Sequence, residues 1–172
     1  MSEPNSVKGT LFKEKLNAVA IKYRDCPPED LVVSVCLNRI NEYLKDDKNI
    51  VLIGSSLGGL LAAKTAIVNP YVKYLILLNP AIIPPFVDIS KVQGLPHRIL
   101  VEMKDKRLFE QRLESKIFIL VGTMDDSVPN SWPIEFAKSQ EAVVRFLQDD
   151  HSFTQNMSRL PGIIIDVLEE KH

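Results

Sequence analysis

The stretch NIVLIGSSLGGLLAAKTAI, residues 49–67, decides the fold. An apolar run, Ile50 to Ile53, stops at Gly54. Two serines, Leu57 and a Gly58-Gly59 pair follow, and Leu57–Val68 then reads as a helix ended by Asn69-Pro70. The chain has 7 glycines, and three of them fall within these six residues around the Ser-Ser pair. A strand-to-helix crossing that tight either packs two elements closely or holds a serine up for chemistry.

Gly54-Ser55-Ser56-Leu57-Gly58 fits G-x-S-x-G in one register, with Ser56 central and Ser55 at the variable position. At such a turn the nucleophile sits in a strained backbone conformation, and the residues two positions either side are expected to lack a Cβ that would clash. The helix that follows directs its first N–H groups, beginning with Leu57, at the place where an oxyanion would form. Gly59, Ala62 and Ala63 are expected to let this helix pack closely on the sheet. The plain alternative is a Gly-rich turn with a capping serine; the strand before and the helix after favour the reactive reading. Phosphate sites fit worse, because Leu60 stands where a Walker-type Lys would and the dinucleotide G-x-G-x-x-G spacing fails.

Strand-like and helical stretches alternate on both sides of this turn. Val7, Leu11, Phe12 and Leu16 give a first helical stripe, and Asn17–Tyr23 reads as a strand. A helix is expected from Pro28 to about Leu44, with Val32, Cys36, Ile40 and Tyr43 inside. Further strands are expected at Lys73–Leu78, Lys116–Val121 and Ala142–Leu147, and helices at about 97–114, 134–139 and 163–169. Residues 81–94 are apolar and Pro-rich without clean periodicity. Near-continuous apolar strands alternating with helices mean an α/β fold, a three-layer αβα sandwich on a mostly parallel sheet.

The bulk numbers set limits. With 172 residues, 45% hydrophobic and 25% charged, the chain fits one soluble domain with a real core. Lys plus Arg is 21 against 22 for Asp plus Glu, a net charge of -1, so nucleic acid is not an expected partner. MSEPNSVKGT holds no signal-peptide core, and the apolar runs fall far short of the ~20 residues that span a bilayer, so no membrane partner is expected. Cys26 and Cys36 show neither metal spacing nor a disulfide framework. No metal or organic cofactor is expected, and the expected location is the cytoplasm.

A nucleophilic serine needs a base, and the base needs an orienting acid. His151, in LQDDHSF, falls just past the last expected strand, at the sheet edge where Ser56 sits. His97 precedes a helix and reads as a surface residue, and His172 is terminal. Asp125 and Asp126 lie in the loop after the strand at Lys116–Val121. An Asp-Asp pair alone is a solvated turn and a lone His a surface residue. Three such features, each just past an expected strand and in the order Ser, Asp, His, point to one site.

On these residues the chain resembles the α/β-hydrolase superfamily, and within it the small YqiA-type esterases. The matching stretches are GSSLGG (54–59), NPA (79–81), GTMDDSVP (122–129) and DDHSF (149–153), with weaker similarity beginning at PNSVKGTLFKEKL. The resemblance implies Ser56 as nucleophile, His151 as base, Asp125 as acid with Asp126 its solvent-side neighbour, and a partial lid around 81–114 in a single domain spanning 1–172. It also implies an apolar strand ending in His-Gly, set inside the sheet between Asn17–Tyr23 and Ile50–Ile53, whose turn gives a second oxyanion N–H. No such stretch is present here, where the chain opens Met1-Ser2-Glu3-Pro4; the fold is read as N-terminally truncated. An upstream start is the expectation preferred over a closed-up sheet or a specialised variant. The expected activity is a serine esterase acting on a small ester, thioester or related acyl compound, with Leu57 N–H as oxyanion donor. The alternative is a non-catalytic α/β-hydrolase-like binding domain. The acyl and leaving groups and the oligomeric state are left open.

Overall fold

The first helix of the computed structural model, which describes residues 6–169, is α1 (Val7–Leu16). Ser6 Oγ caps it by accepting the Gly9 N–H at 3.2 Å, and Asn17 ends it in the left-handed conformation (φ 53°) that Asn tolerates. Residues 17–24 then form no strand, which corrects the expectation for Asn17–Tyr23. The alternation there has another cause: Ile21 and Tyr23 pack against the core while Val19 is exposed. Alternation records which side chains turn inward; a strand also needs a neighbouring strand, and among the described residues the sheet includes none beside this stretch.

Pro28–Asp30 is a separate 3-10 turn, and α2 runs over Val33–Leu44. Its buried face is Val33, Cys36, Ile40 and Leu44, one position beyond the expected Val32 and Tyr43, which are exposed. The later start has a cap of its own: the Val33 N–H donates to Glu102 Oε2 at 2.8 Å. Then follow β1 (Ile50–Ser55), α3 (Leu57–Val68), β2 (Val72–Leu78), α4 (His97–Met103), α5 (Arg107–Glu110), β3 (Lys116–Gly122), α6 (Ser131–Gln140), β4 (Val143–Leu147) and α7 (Leu160–Glu169). The single helix expected across 97–114 is thus two short ones. Among the described residues the sheet has four strands, parallel, in the order β1-β2-β3-β4.

The two central strands are apolar almost throughout because both of their faces are covered. Leu75, Leu77, Ile117, Ile119 and Val121 face one core, shared with α2 to α6. Ile76, Leu78, Phe118 and Leu120 face the other, with Phe12 of α1 and Leu160, Ile163 and Ile164 of α7. The connecting helices share one face, as same-handed crossovers stepping one way across a sheet must. The first and last helices close the other. The result is a three-layer αβα sandwich. Ala81, Ile82 and Ile83 drop into the core directly after β2, and Phe86 beyond them is 74% exposed.

β1 is an edge strand. The Ile50 N–H donates to Tyr71 O and the Ser56 N–H to Leu78 O, so the even-numbered residues turn their backbone groups toward β2. Val51, Ile53 and Ser55 therefore turn theirs the other way, where no backbone partner is present among the described residues. Beside that edge lies a cavity of about 650 Å³, lined by β1, residues 18–21, Tyr23, Tyr43 and Leu44. It occupies the region where the resemblance implies another strand. Among the described residues, no helix is long and apolar enough to cross a membrane.

Candidate active site

β1 passes into α3 through Ser56, held at φ 54° and ψ -121°, a conformation that side chains rarely adopt. Backbone hydrogen bonds hold it there. Its N–H donates to Leu78 O at 2.9 Å, and its carbonyl accepts from Gly59 (3.0 Å), Leu60 (3.3 Å) and Ala81 (3.1 Å). A Cβ at Gly54 would lie 2.4 Å from Gly58 O, and one at Gly59 would lie 2.8 Å from Pro80 Cβ. A Cβ at Gly58 would meet nothing within 4 Å, so the steric requirement expected on both sides of the serine holds at Gly54 alone. Leu57 opens α3 with its N–H unpartnered among the described residues, and the Ser56 side chain does not cap the helix.

Asp125 follows β3. Its Oδ1 accepts the N–H groups of Ser127 (2.8 Å) and Val128 (2.9 Å), and its Oδ2 meets His151 Nδ1 at 2.8 Å. The carboxylate is 1% exposed and the imidazole 23%. An ionised carboxylate only accepts, so Nδ1 carries the proton and Nε2 keeps its lone pair. Asp126 is exposed, and its carboxylate takes one bond, from Ser127 Oγ at 3.1 Å. The structure thus separates the two aspartates that the sequence left side by side. No hydrogen bond joins Ser56 Oγ to His151 among the described residues. His97, the first residue of α4, is exposed as expected, and His172 lies outside the described residues.

The His151 loop is anchored by Asn79 and Asp149, which lie in matching stretches of the sequence that give them no role. Asn79, 1% exposed and with φ 43°, ends β2 beside the turn that holds Ser56. Its Nδ2 donates to the carbonyls of Asp150 (3.3 Å) and His151 (3.1 Å), and its Oδ1 accepts the Gly122 N–H at 2.7 Å. One side chain thus joins the ends of β2 and β3 to the histidine loop. The signal in the sequence is the NPA stretch, 79–81, directly after an apolar strand. Asp149, fully buried, accepts from the N–H groups of Asp150, Gln155 and Asn156 and from Asn156 Nδ2. Burial alone would raise its pKa; the bonds from Asn156, Gln155 and Asp150 outweigh it and hold the carboxyl below the ordinary carboxylate value.

A parallel sheet with a strained serine after one strand, an acid after a later one and a histidine after the next is the α/β-hydrolase fold. Solved structures with this architecture include ferulic acid-bound Est1E from Butyrivibrio proteoclasticus, at TM-score 0.78 and 18% identity over 98% of this chain and 84% of that one. The mouse alpha/beta hydrolase domain-containing protein 10 aligns at TM-score 0.72 and 20% identity, over 98% and 86% of the two chains. A hydrolase-superfamily protein from Xanthomonas campestris aligns at TM-score 0.67 and 19% identity, over 99% and 94%. Residues 2–168 match the uncharacterised protein family UPF0227, and the chain belongs to that family. A comparison with curated proteins found no match.

Proposed function

We propose that the chain is a serine hydrolase that cleaves a small ester, thioester or related acyl compound through an acyl-enzyme. Ser56 Oγ attacks the carbonyl carbon while His151 Nε2 takes its proton. The tetrahedral oxyanion is met by the Leu57 N–H, and His151 then returns the proton to the leaving alcohol or thiol. Water repeats the sequence to release the acid. Asp125 keeps the imidazole in the tautomer that can accept. Residues 81–114 serve as a partial lid; the Ala81 N–H tethers their start to the Ser56 carbonyl at 3.1 Å.

The observation that carries this reading is the contact of buried Asp125 with His151 at 2.8 Å, at the sheet edge that also holds the strained Ser56. The alternative, a non-catalytic binding domain, draws support from the lack of a hydrogen bond between Ser56 Oγ and His151. Labelling with a fluorophosphonate separates the two, because only an activated serine reacts quickly. Rapid labelling, abolished in Ser56→Ala and only reduced in Ser55→Ala, is expected. A wild-type chain that does not label would leave the binding-domain reading standing.

A further inference from the structure

Lys8, in the first turn of α1, donates from Nζ to Ser55 Oγ at 2.9 Å. The same Nζ lies 5.5 Å from the centre of the Phe153 ring, within cation–π range. Ser55 is the last residue of β1, directly before Ser56. Phe153 is the second residue after His151, fully buried and held at φ 57°. One side chain therefore touches both the strand end that presents the serine and the loop that presents the histidine.

The charges facing this ammonium are Asp150, Asp125 and Asp149, all on the loops after β3 and β4. They favour its charged form. Burial opposes them and is the stronger influence, so its pKa lies below the ordinary lysine value. Stability alone is poorly served by half-burying an ammonium against a neutral hydroxyl and a ring. Near the reacting groups the same arrangement acts on geometry.

We propose that Lys8 is a positioning residue for the hydrolysis: through Ser55 and Phe153 it holds the Ser56 turn and the His151 loop in register. This rests on the roles proposed above for Ser56 and His151. No direct bond joins those two side chains, so their mutual placement depends on what ties their supports together. Asn79 does so from one direction and Lys8 from α1. A misplacement of about 1 Å between reacting groups lowers rates by roughly 10².

The test compares Lys8→Met, which keeps the stem but loses the donor and the charge, with Lys8→Arg, which keeps the charge. In Lys8→Met we expect fluorophosphonate labelling and kcat on a p-nitrophenyl ester to fall about tenfold or more, with KM within about twofold. Lys8→Arg should recover part of the rate. Wild-type labelling and kcat in Lys8→Met would overturn the proposal. So would equal losses in both variants with lowered Tm, which would make Lys8 structural only. A wild-type chain that fails to label removes the hydrolase reading, and with it this role for Lys8.

Discussion

Replacing Asp125 by Asn changes one atom and reverses the contact with His151. The Ser127 and Val128 N–H groups, 2.8 and 2.9 Å from Oδ1, dictate how the amide must lie. Its carbonyl oxygen has to face those two donors, because an NH₂ there would oppose them. The NH₂ is then left 2.8 Å from His151 Nδ1, which must accept, and the ring proton moves to Nε2. An imidazole in that tautomer cannot take the Ser56 proton. The expected loss in kcat is on the order of 10⁴, or about 5 kcal/mol of transition-state stabilisation. Weakening two charge-assisted bonds costs about 1–2 kcal/mol of stability, a fall in Tm of a few degrees that leaves the protein folded at 20 °C. Asp126→Asn touches an exposed carboxylate bonded only to Ser127 Oγ, and should change kcat by less than about twofold. Hydrolysis of p-nitrophenyl butyrate by both variants, with Tm measured alongside, decides the matter. A difference of less than about tenfold between them would refute the assignment of Asp125 and direct attention to Asp149 or Asp150.

Two further outcomes follow from the buried carboxylate beside the site and from the open sheet edge. The depressed Asp149 carboxyl links stability to pH: its contribution is complete above the unfolded value of ~3.9 and is lost as pH falls through the lower folded one. Asp149→Asn should therefore lower the urea midpoint at pH 7 and flatten its decline below pH 4; parallel curves for the two proteins would contradict this. The edge of β1 gives the other. Joining an apolar strand of about six residues and a His-Gly turn ahead of Met1 should raise the urea midpoint, reduce association on gel filtration and increase esterase rate. Unchanged values would mean that the cavity beside Val51, Ile53 and Ser55 does not take a strand.

The parts of the fold legible in the sequence are those where local pattern and burial agree. Leu57–Val68 reads as a helix and is one, and the runs at β2 and β3 are apolar because both sides are covered. Asn17–Tyr23 misled because its alternation is real while its pairing partner is not there. The start of α2 was misplaced because its cap, Glu102, stands 69 residues away in sequence. In the site, Ser56 and His151 announce themselves by motif and position. The resemblance implies Asp125 over Asp126, while the two backbone donors that hold Asp125 are legible only in the fold. Lys8 and Asn79 lie in matching stretches that give them no role; what distinguishes them is the company that the folded chain brings to them.

The face of the sheet beneath His151 has a consequence for dynamics. Phe153 sits in the core closed by α1 and α7. These two helices contact each other on a face of the sheet that the connecting helices do not cover, so this layer is the natural unit of partial opening. When it opens, Phe12 and Lys8 leave with α1, and the histidine loop loses its floor and its tether to the serine in one event. Amides of α1, α7 and residues 149–156 should then exchange with solvent as one cooperative group, at a lower opening free energy than β2 and β3.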